Sequence, residues 1–397
     1  MHPKKFQRRR KRPPSKPGRF AVASSRVPSN AVDHVGSLKR PPELVSAWRE
    51  WEAGKLPAEK LRAVQDKAIT DAVAMQESLG LPIVTDGEFR RGGWSRGFLS
   101  AVEGFDFAAS KLVFRNDEGF TTPSPAPMAT KRIRRTKSIV TDDYKFLKSV
   151  AKNRVKVTMP TPSHMHFGHF KNAVDSNTYP SVEAYWDDMI AVFQQEIKEL
   201  YAAGCRYLQL DEVPLALLCD SKIRALAKSE GDDPDKLVAL YIDVLNRAVA
   251  GRPADLTIGM HLCRGNMESL WVGDGGYAPI AEALFTRADV DAFLLEYDSR
   301  RAGDFAPLRF LPADRRAYLG IISTKNPELE SVDDLLHRLD EAARYAPMER
   351  LGICPQCGFA SAAMSKFAVL PSKLSVDTQT LKIQLLMDVG RRAWGHA

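Results

Sequence analysis

The pair His261 and Cys263 ends the apolar run Leu256-Thr257-Ile258-Gly259-Met260. Alternate side chains of a strand share a face, so this spacing lets an imidazole and a thiol point the same way and bind one metal ion. Two later apolar runs end in groups that can complete such a site, Glu296 after Phe293-Leu294-Leu295 and Cys357 in Cys354-Pro355-Gln356-Cys357. Imidazole, thiolate and carboxylate together suit zinc, and an open position on that ion accepts a further sulfur.

Other polar clusters fall where apolar runs stop: Asp33-His34-Val35-Gly36-Ser37, Thr85-Asp86-Gly87-Glu88, Met159-Pro160-Thr161-Pro162 and Gln209-Leu210-Asp211-Glu212. Each alone has a plainer reading. Gly36-Ser37 reads as a turn, and Glu88 and Asp211 as helix caps or as surface partners of Arg90 and Arg91. A lone histidine is more often a satisfied core residue, and a lone cysteine a small buried hydrophobe. Their joint placement at successive run ends favours a common site.

The elements that must hold these residues follow from periodicity. Short apolar runs recur near 31–36, 81–85, 155–159, 206–210, 255–260, 291–295, 317–322 and 350–353. Helical patterns lie at 57–79, 181–203, 234–250, 332–345 and 376–394. Strands alternating with helices imply a parallel sheet, and eight of them predict an α/β fold, a (β/α)8 TIM barrel, whose strand ends form one rim where active sites lie. A doubly wound open sheet is the runner-up, but no Gly-rich phosphate turn accompanies it. The segment 100–150 breaks the rhythm between strands two and three and reads as an inserted flap near the mouth. Its basic run Lys131–Lys137 reads as a solvated face rather than a contact for an anionic substrate tail.

The net charge of +8 is concentrated at the start, because residues 1–30 hold ten Lys or Arg and no acid. The remainder is close to neutral, which argues against a specific nucleic-acid partner. Residues 1–30 read as a disordered basic, Pro-rich tail and 31–397 as one catalytic barrel. Five cysteines in a chain with no apolar leader or membrane-length run predict reduced thiols in a cytoplasmic protein with no membrane partner.

Asp33–Leu38, Asp86-Gly87-Glu88-Phe89-Arg90, Leu210-Asp211-Glu212-Val213-Pro214, His261-Leu262-Cys263 and Pro355-Gln356-Cys357-Gly358 together resemble the catalytic barrel of cobalamin-independent methionine synthases, in its short single-barrel form. The resemblance implies Zn2+ as cofactor, held by His261, Cys263, Glu296 and Cys357. It implies that Ser37, Glu88 and Asp211 bind the amino-acid end of homocysteine, with Glu88 and Asp211 acting in catalysis by facing the ammonium. The implied partners are a small thiol and a methyl donor, either a methyltetrahydrofolate or a methyl-corrinoid. Where the long enzymes have a histidine proton donor, this chain reads Ser323-Thr324-Lys325, so Lys325 is the candidate acid. Cys354 is expected to be a buried strand residue, since Cys357 already completes four ligands. Two alternatives remain: a zinc alkyltransferase that opens an epoxide with a thiol of the coenzyme M type, and a non-catalytic barrel with a structural zinc.

Overall fold

A computed structural model describes residues 26–360 and 372–395. The strands in chain order are β1 (Ile83–Val84), β2 (Val102–Ala108), β3 (Val113–Arg115), β4 (Thr121–Pro123), β5 (Ala126–Arg135), β6 (Arg154–Val155), β7 (Val157–Pro160), β8 (Tyr207–Glu212), β9 (Thr257–Leu262), β10 (Ala292–Glu296), β11 (Arg316–Ile322) and β12 (Leu351–Pro355). From β7 to β12 they pair in parallel in strict chain order. β6 runs on into β7 and pairs in parallel with β1. At the other edge Val32 bridges Ile353, with Asp33 N–H donating to the Ile353 carbonyl at 3.1 Å. The first run, 31–36, forms this single bridge rather than a strand, and it meets the segment after β1 through the Thr85 hydroxyl donating to the Gly36 carbonyl at 2.6 Å and Leu38 N–H to the Gly87 carbonyl at 3.1 Å. The chain is thus a (β/α)8 barrel, as the eight apolar runs predict.

β8, β9, β10 and β12 are buried along their whole length, which is why they read as unbroken apolar runs rather than alternating ones. Outside them lie amphipathic helices. In Val182–Ala202 the buried stripe includes Tyr185, Met189, Phe193, Ile197 and Leu200, and the Ser181 hydroxyl caps the first turn by accepting from Ala184 N–H. Val376–Trp394 closes the barrel between a Ser375 cap and a left-handed Gly395.

The barrel interior also holds charge. The Lys156 ammonium bonds the Asp33 carboxylate at 2.7 Å and the Gln209 amide oxygen at 2.8 Å, with both charges fully buried. Tyr207 donates to the other Asp33 oxygen at 2.7 Å. This network fixes Gln209, whose Nε2 donates to Asp211 at 2.8 Å, and so reaches the rim.

The segment read as a flap has defined structure. β2 pairs antiparallel with β5, and β3 with β4. Arg115 ties β3 down, exchanging backbone bonds with Trp271 and pairing its guanidinium with Asp220 at 3.0 Å and Asp274 at 2.9 Å. The end of the segment departs from the sequence reading, since Thr141–Val150 is a regular helix. Its short stripe of Thr141, Tyr144 and Leu147 was too brief to stand out. Its N-terminus is held by Glu196, which accepts from Val140 and Thr141 N–H. Within the basic run, Arg132, Arg134 and Arg135 pair with Asp188, Glu103 and Glu196. Arg132 and Arg135 tie the flap to the helix Val182–Ala202, and Arg134 pairs within the flap.

Residues 1–25 of the expected tail lie outside the described residues. The boundary placed at 30 is later than the packing shows, because Arg26 already offers its carbonyl to Thr257 at 2.6 Å and Asn30 its carbonyl to Tyr318 at 2.9 Å. Among the described residues no helix is long and apolar enough to cross a membrane.

Candidate active site

Two corners meet at the C-terminal ends of the strands. In the first, β9 delivers His261 opposite Leu294 of β10, and the imidazole Nδ1–H donates to the Leu294 carbonyl at 3.1 Å. That carbonyl can only accept, so Nδ1 carries the proton and the lone pair sits on Nε2, which has no nitrogen or oxygen partner. Cys263, just past β9, lies 3.4 Å sulfur to sulfur from Cys357, just past β12. The ligating atoms of His261, Cys263 and Cys357 fall within 4.8 Å of one another, all buried.

The proton count at this corner is uneven. The Cys357 sulfur accepting from it holds the Cys263 thiol well above its ordinary range, with burial adding to the shift. Cys357 is held well below, first by that same hydrogen bond and then, against burial, by His261. Burial pushes His261 down, yet the facing Cys357 sulfur leaves it raised on balance. A raised imidazole and a lowered thiol therefore face each other in one buried pocket, with the second thiol held protonated beside them. The donor set, with an Nε2 that faces sulfur and bonds no nitrogen or oxygen, fits a divalent cation such as zinc.

Glu296, expected as the fourth ligand, lies outside the 4.8 Å group. Its Oε2 accepts from Arg264 N–H at 2.8 Å, while Oε1 is buried without a hydrogen-bond partner. Arg264, fully buried, donates to the carbonyls of Gly275 and Glu296 and braces the loop that follows β9. The Lys325 ammonium donates to the Gly265 carbonyl at 3.2 Å and feels both cysteine sulfurs.

The second corner is built on irregular backbone. Gly87 and Glu88 both have left-handed conformations, with φ of 65° and 62°. Glutamate rarely adopts this conformation, which costs about 1–3 kcal/mol. It is enforced by Asp86, which accepts from Glu88 N–H at 2.9 Å, and by Arg40, which donates to the Glu88 carbonyl at 2.8 Å. Gly36, with φ 137°, lies so close that a Cβ there would stand 2.8 Å from Glu88 Oε1. The bend aims the carboxylate at Thr158, whose hydroxyl donates to it at 2.6 Å. Burial, reinforced by the Asp211 carboxylate and opposed by Arg91, pushes Glu88 up to about 7. Burial also raises Asp211. Ser37 turns its hydroxyl toward Ala360 N–H, 3.3 Å away.

One cavity joins the corners. Its wall includes Ser37, Glu88, Asp211, His261, Cys263 and Cys357, six of the eight residues picked from the sequence. Glu296 and Lys325 stand outside that wall. The sequence reading missed Arg91, which forms a buried ion pair with Glu88 where a surface pair was the plain alternative. It also missed the roof of Trp94, Phe107, Leu112, Phe114 and His164, the Trp94 and His164 rings lying 3.9 Å apart. Spacing held no signal for a roof contributed by a distant flap.

A (β/α)8 barrel whose strand ends gather imidazole, thiol and carboxylate groups around one cavity has the build of the barrel enzymes, with a group of side chains that could hold a metal ion. Within that class, residues 31–374 match the family described as cobalamin-independent synthase, catalytic domain, and the chain belongs to it. An uncharacterised Bacillus subtilis protein, YxjH, is 38% identical over 91% of this chain and 94% of its own length. The methionine synthase of Pyrococcus abyssi is 26% identical, covering 82% of this chain and 84% of that protein. A crystal structure of a putative vitamin-B12 independent methionine synthase from Listeria monocytogenes superposes with a TM-score of 0.72 at 29% identity, covering 93% of this chain and 99% of that one.

Proposed function

We propose that this protein is a zinc-dependent methyltransferase that methylates the thiol of homocysteine to give methionine, with a methyltetrahydrofolate or a methyl-corrinoid as donor. The observation that carries the reading is the single cavity in which a buried His-Cys-Cys group faces a pair of buried carboxylates. His261, Cys263 and Cys357 would hold the zinc, and Glu296, whose charge acts on the Cys263 thiol, is the proposed fourth ligand. When bound, Zn2+ favours the thiolate form of the acceptor, the form that attacks a methyl carbon.

The chain's own residues do the rest. Glu88 and Asp211 offer anionic oxygens to the acceptor ammonium, and the Ser37 hydroxyl offers a donor to its carboxylate. Gln209, locked by Lys156, orients Asp211. The apolar roof excludes water and aligns sulfur with the incoming carbon, the positioning that such a displacement needs. Lys325 is the group beside the sulfur corner that can supply a proton to the departing donor. A thiol without an amine, as in the coenzyme M reading, leaves the carboxylate pair without a task.

The test is methyl transfer by the purified zinc protein, with homocysteine as acceptor and methyltetrahydrofolate, its polyglutamyl form and methylcobalamin offered side by side. Methionine should form with at least one donor. No methionine from any of them, with zinc bound, would remove the proposal.

A further inference from the structure

The two carboxylates that face the acceptor already share a cation. Arg91 Nη2 is paired with Glu88 Oε2 and stands 3.9 Å from Asp211 Oδ2. Its Nη1 reaches the Thr158 hydroxyl at 3.2 Å. The side chain is only 11% exposed, so this guanidinium occupies the interior of the cavity wall. An incoming ammonium and this guanidinium compete for the same oxygens.

Two features give the guanidinium a second position to move to. The backbone under it is immobile, because Arg40 donates to the carbonyls of both Glu88 and Arg91, at 2.8 and 2.7 Å. Only the side chain is left to move. Arg91, like Trp94, also lines a second cavity, whose walls include Arg62, Arg90, Lys137, Asp142 and Asp143. Its two acids already have partners, Asp142 the exposed Lys145 at 3.0 Å and Asp143 Arg90 at 3.1 Å, so the guanidinium would join pairs that exist rather than neutralise free carboxylates. Arg90 borders the same space and is held by Asp66 and by Asp143 at 3.1 Å.

We propose that Arg91 is the specificity-determining residue of the acceptor subsite: an internal counter-cation that yields the Glu88–Asp211 pair only to a thiol carrying its own ammonium, its guanidinium turning into the second cavity beside Asp142 and Asp143. The inference rests on the reading of the acceptor as an amino-acid thiol. Charge explains the selectivity. Exchanging one cation for another keeps the buried carboxylates neutralised, whereas an acceptor without an amine offers nothing to replace the guanidinium and would leave two buried anions unpaired. An amine-bearing thiol thus opens its own seat, and a desamino thiol meets a filled one.

The experiment measures binding to the zinc-loaded protein by calorimetry at pH 8, with L-methionine and its desamino analogue 4-(methylthio)butanoate as probes. No donor or turnover is needed. The parent should bind L-methionine more tightly than the analogue. Arg91→Met, which removes the competing cation, should tighten L-methionine about tenfold, since the cost of vacating the seat is gone. The analogue should change less than twofold. Arg91→Lys, which keeps a cation on a shorter reach, should fall between, and its L-methionine complex serves if the Met variant does not fold. A crystal structure of the parent with L-methionine should show the guanidinium in the second cavity. Weaker binding of both probes by Arg91→Met, which would make Arg91 a ligand for the substrate carboxylate, or a complex in which Arg91 still pairs with Glu88, overturns the assignment. If L-methionine fails to bind the parent at all, the acceptor reading itself falls. If it binds as expected while methyl transfer to homocysteine fails, only the proposed reaction falls.

Discussion

The sulfur corner and the carboxylate corner of the cavity are built in opposite ways. His261, Cys263 and Cys357 come from the ends of β9 and β12, strands locked in a continuous parallel ladder, so their side chains are aimed by regular register. Glu88 comes from a left-handed bend after a two-residue strand, held by Asp86, Arg40 and the absence of a side chain at Gly36. The electrostatics differ as well. The sulfur corner has a buried imidazole nitrogen with no nitrogen or oxygen partner, facing sulfur, whereas the carboxylate corner brings its own guanidinium. The contrast separates a place for a resident ion from a place where cations exchange.

The largest effect should follow from breaking the first corner. Cys263→Ala or His261→Ala is expected to lose zinc and turnover together, to below about 1% of the parent, because three strong donors cannot be reduced to two and still hold the ion. Metal analysis beside a methionine assay checks it, and a variant that keeps both zinc and turnover would mean the ligands are misassigned. Glu88→Gln should separate the corners. Zinc content stays at the parent level while the KM for homocysteine rises roughly 10- to 100-fold, the range expected for losing one hydrogen bond to a charged group. Loss of zinc in Glu88→Gln would show that the corners are one unit.

Much of the first corner was legible in the sequence, and little of the second's workings. Register is local information: an unbroken apolar run ending in His-x-Cys or in Gln-Cys tells both where the strand stops and which way the donors point. Glu88 and Asp211 were visible for the same reason, as acids at run ends. Their charge state was not, because it depends on Arg91, which spacing alone could not distinguish from a surface partner. The Asp33–Lys156–Gln209 network was equally hidden, since a lysine in a short strand looks exposed until the strand is known to line a barrel interior. The flap's ladders pair segments of low apolar content, so periodicity said little about them.

A milder perturbation is pH. The Glu88 carboxyl titrates near 7 in the folded protein, pushed there by burial and the neighbouring carboxylates, so its charge is lost as pH falls through that value. The KM for homocysteine should rise by about tenfold between pH 8 and pH 6, as the charged fraction drops. Stability runs the other way. With a folded pKa above the ordinary 4.5, Glu88 favours the folded state most when protonated, and that contribution is lost as pH rises from about 4.5 through about 7. Glu88→Gln, which cannot ionise, should therefore gain in melting temperature relative to the parent on going from pH 5 to pH 8. A constant difference between the two proteins over that range would mean that Glu88 is not perturbed by its setting.

The smallest effect sharpens the boundary of the sulfur corner. Cys354 and Cys357 form a Cys-x-x-Cys, but only the second belongs to the cluster. Cys354 is fully buried inside β12, packed with Val35, Ala292, Leu294 and Tyr318, and burial holds its thiol well above the ordinary range, the opposite of Cys357. A thiol kept protonated among apolar side chains is neither a good ligand nor a good nucleophile. Cys354→Ala should accordingly keep zinc content and turnover within about twofold of the parent and cost only about 1 kcal/mol of stability, the usual consequence of removing one buried heavy atom. Denaturant unfolding and metal analysis on the same preparation check both halves. Should Cys354→Ala lose its zinc, the ion would be held from inside the barrel rather than at its rim, and the division between a rigid sulfur corner and an exchangeable carboxylate corner would have to be redrawn.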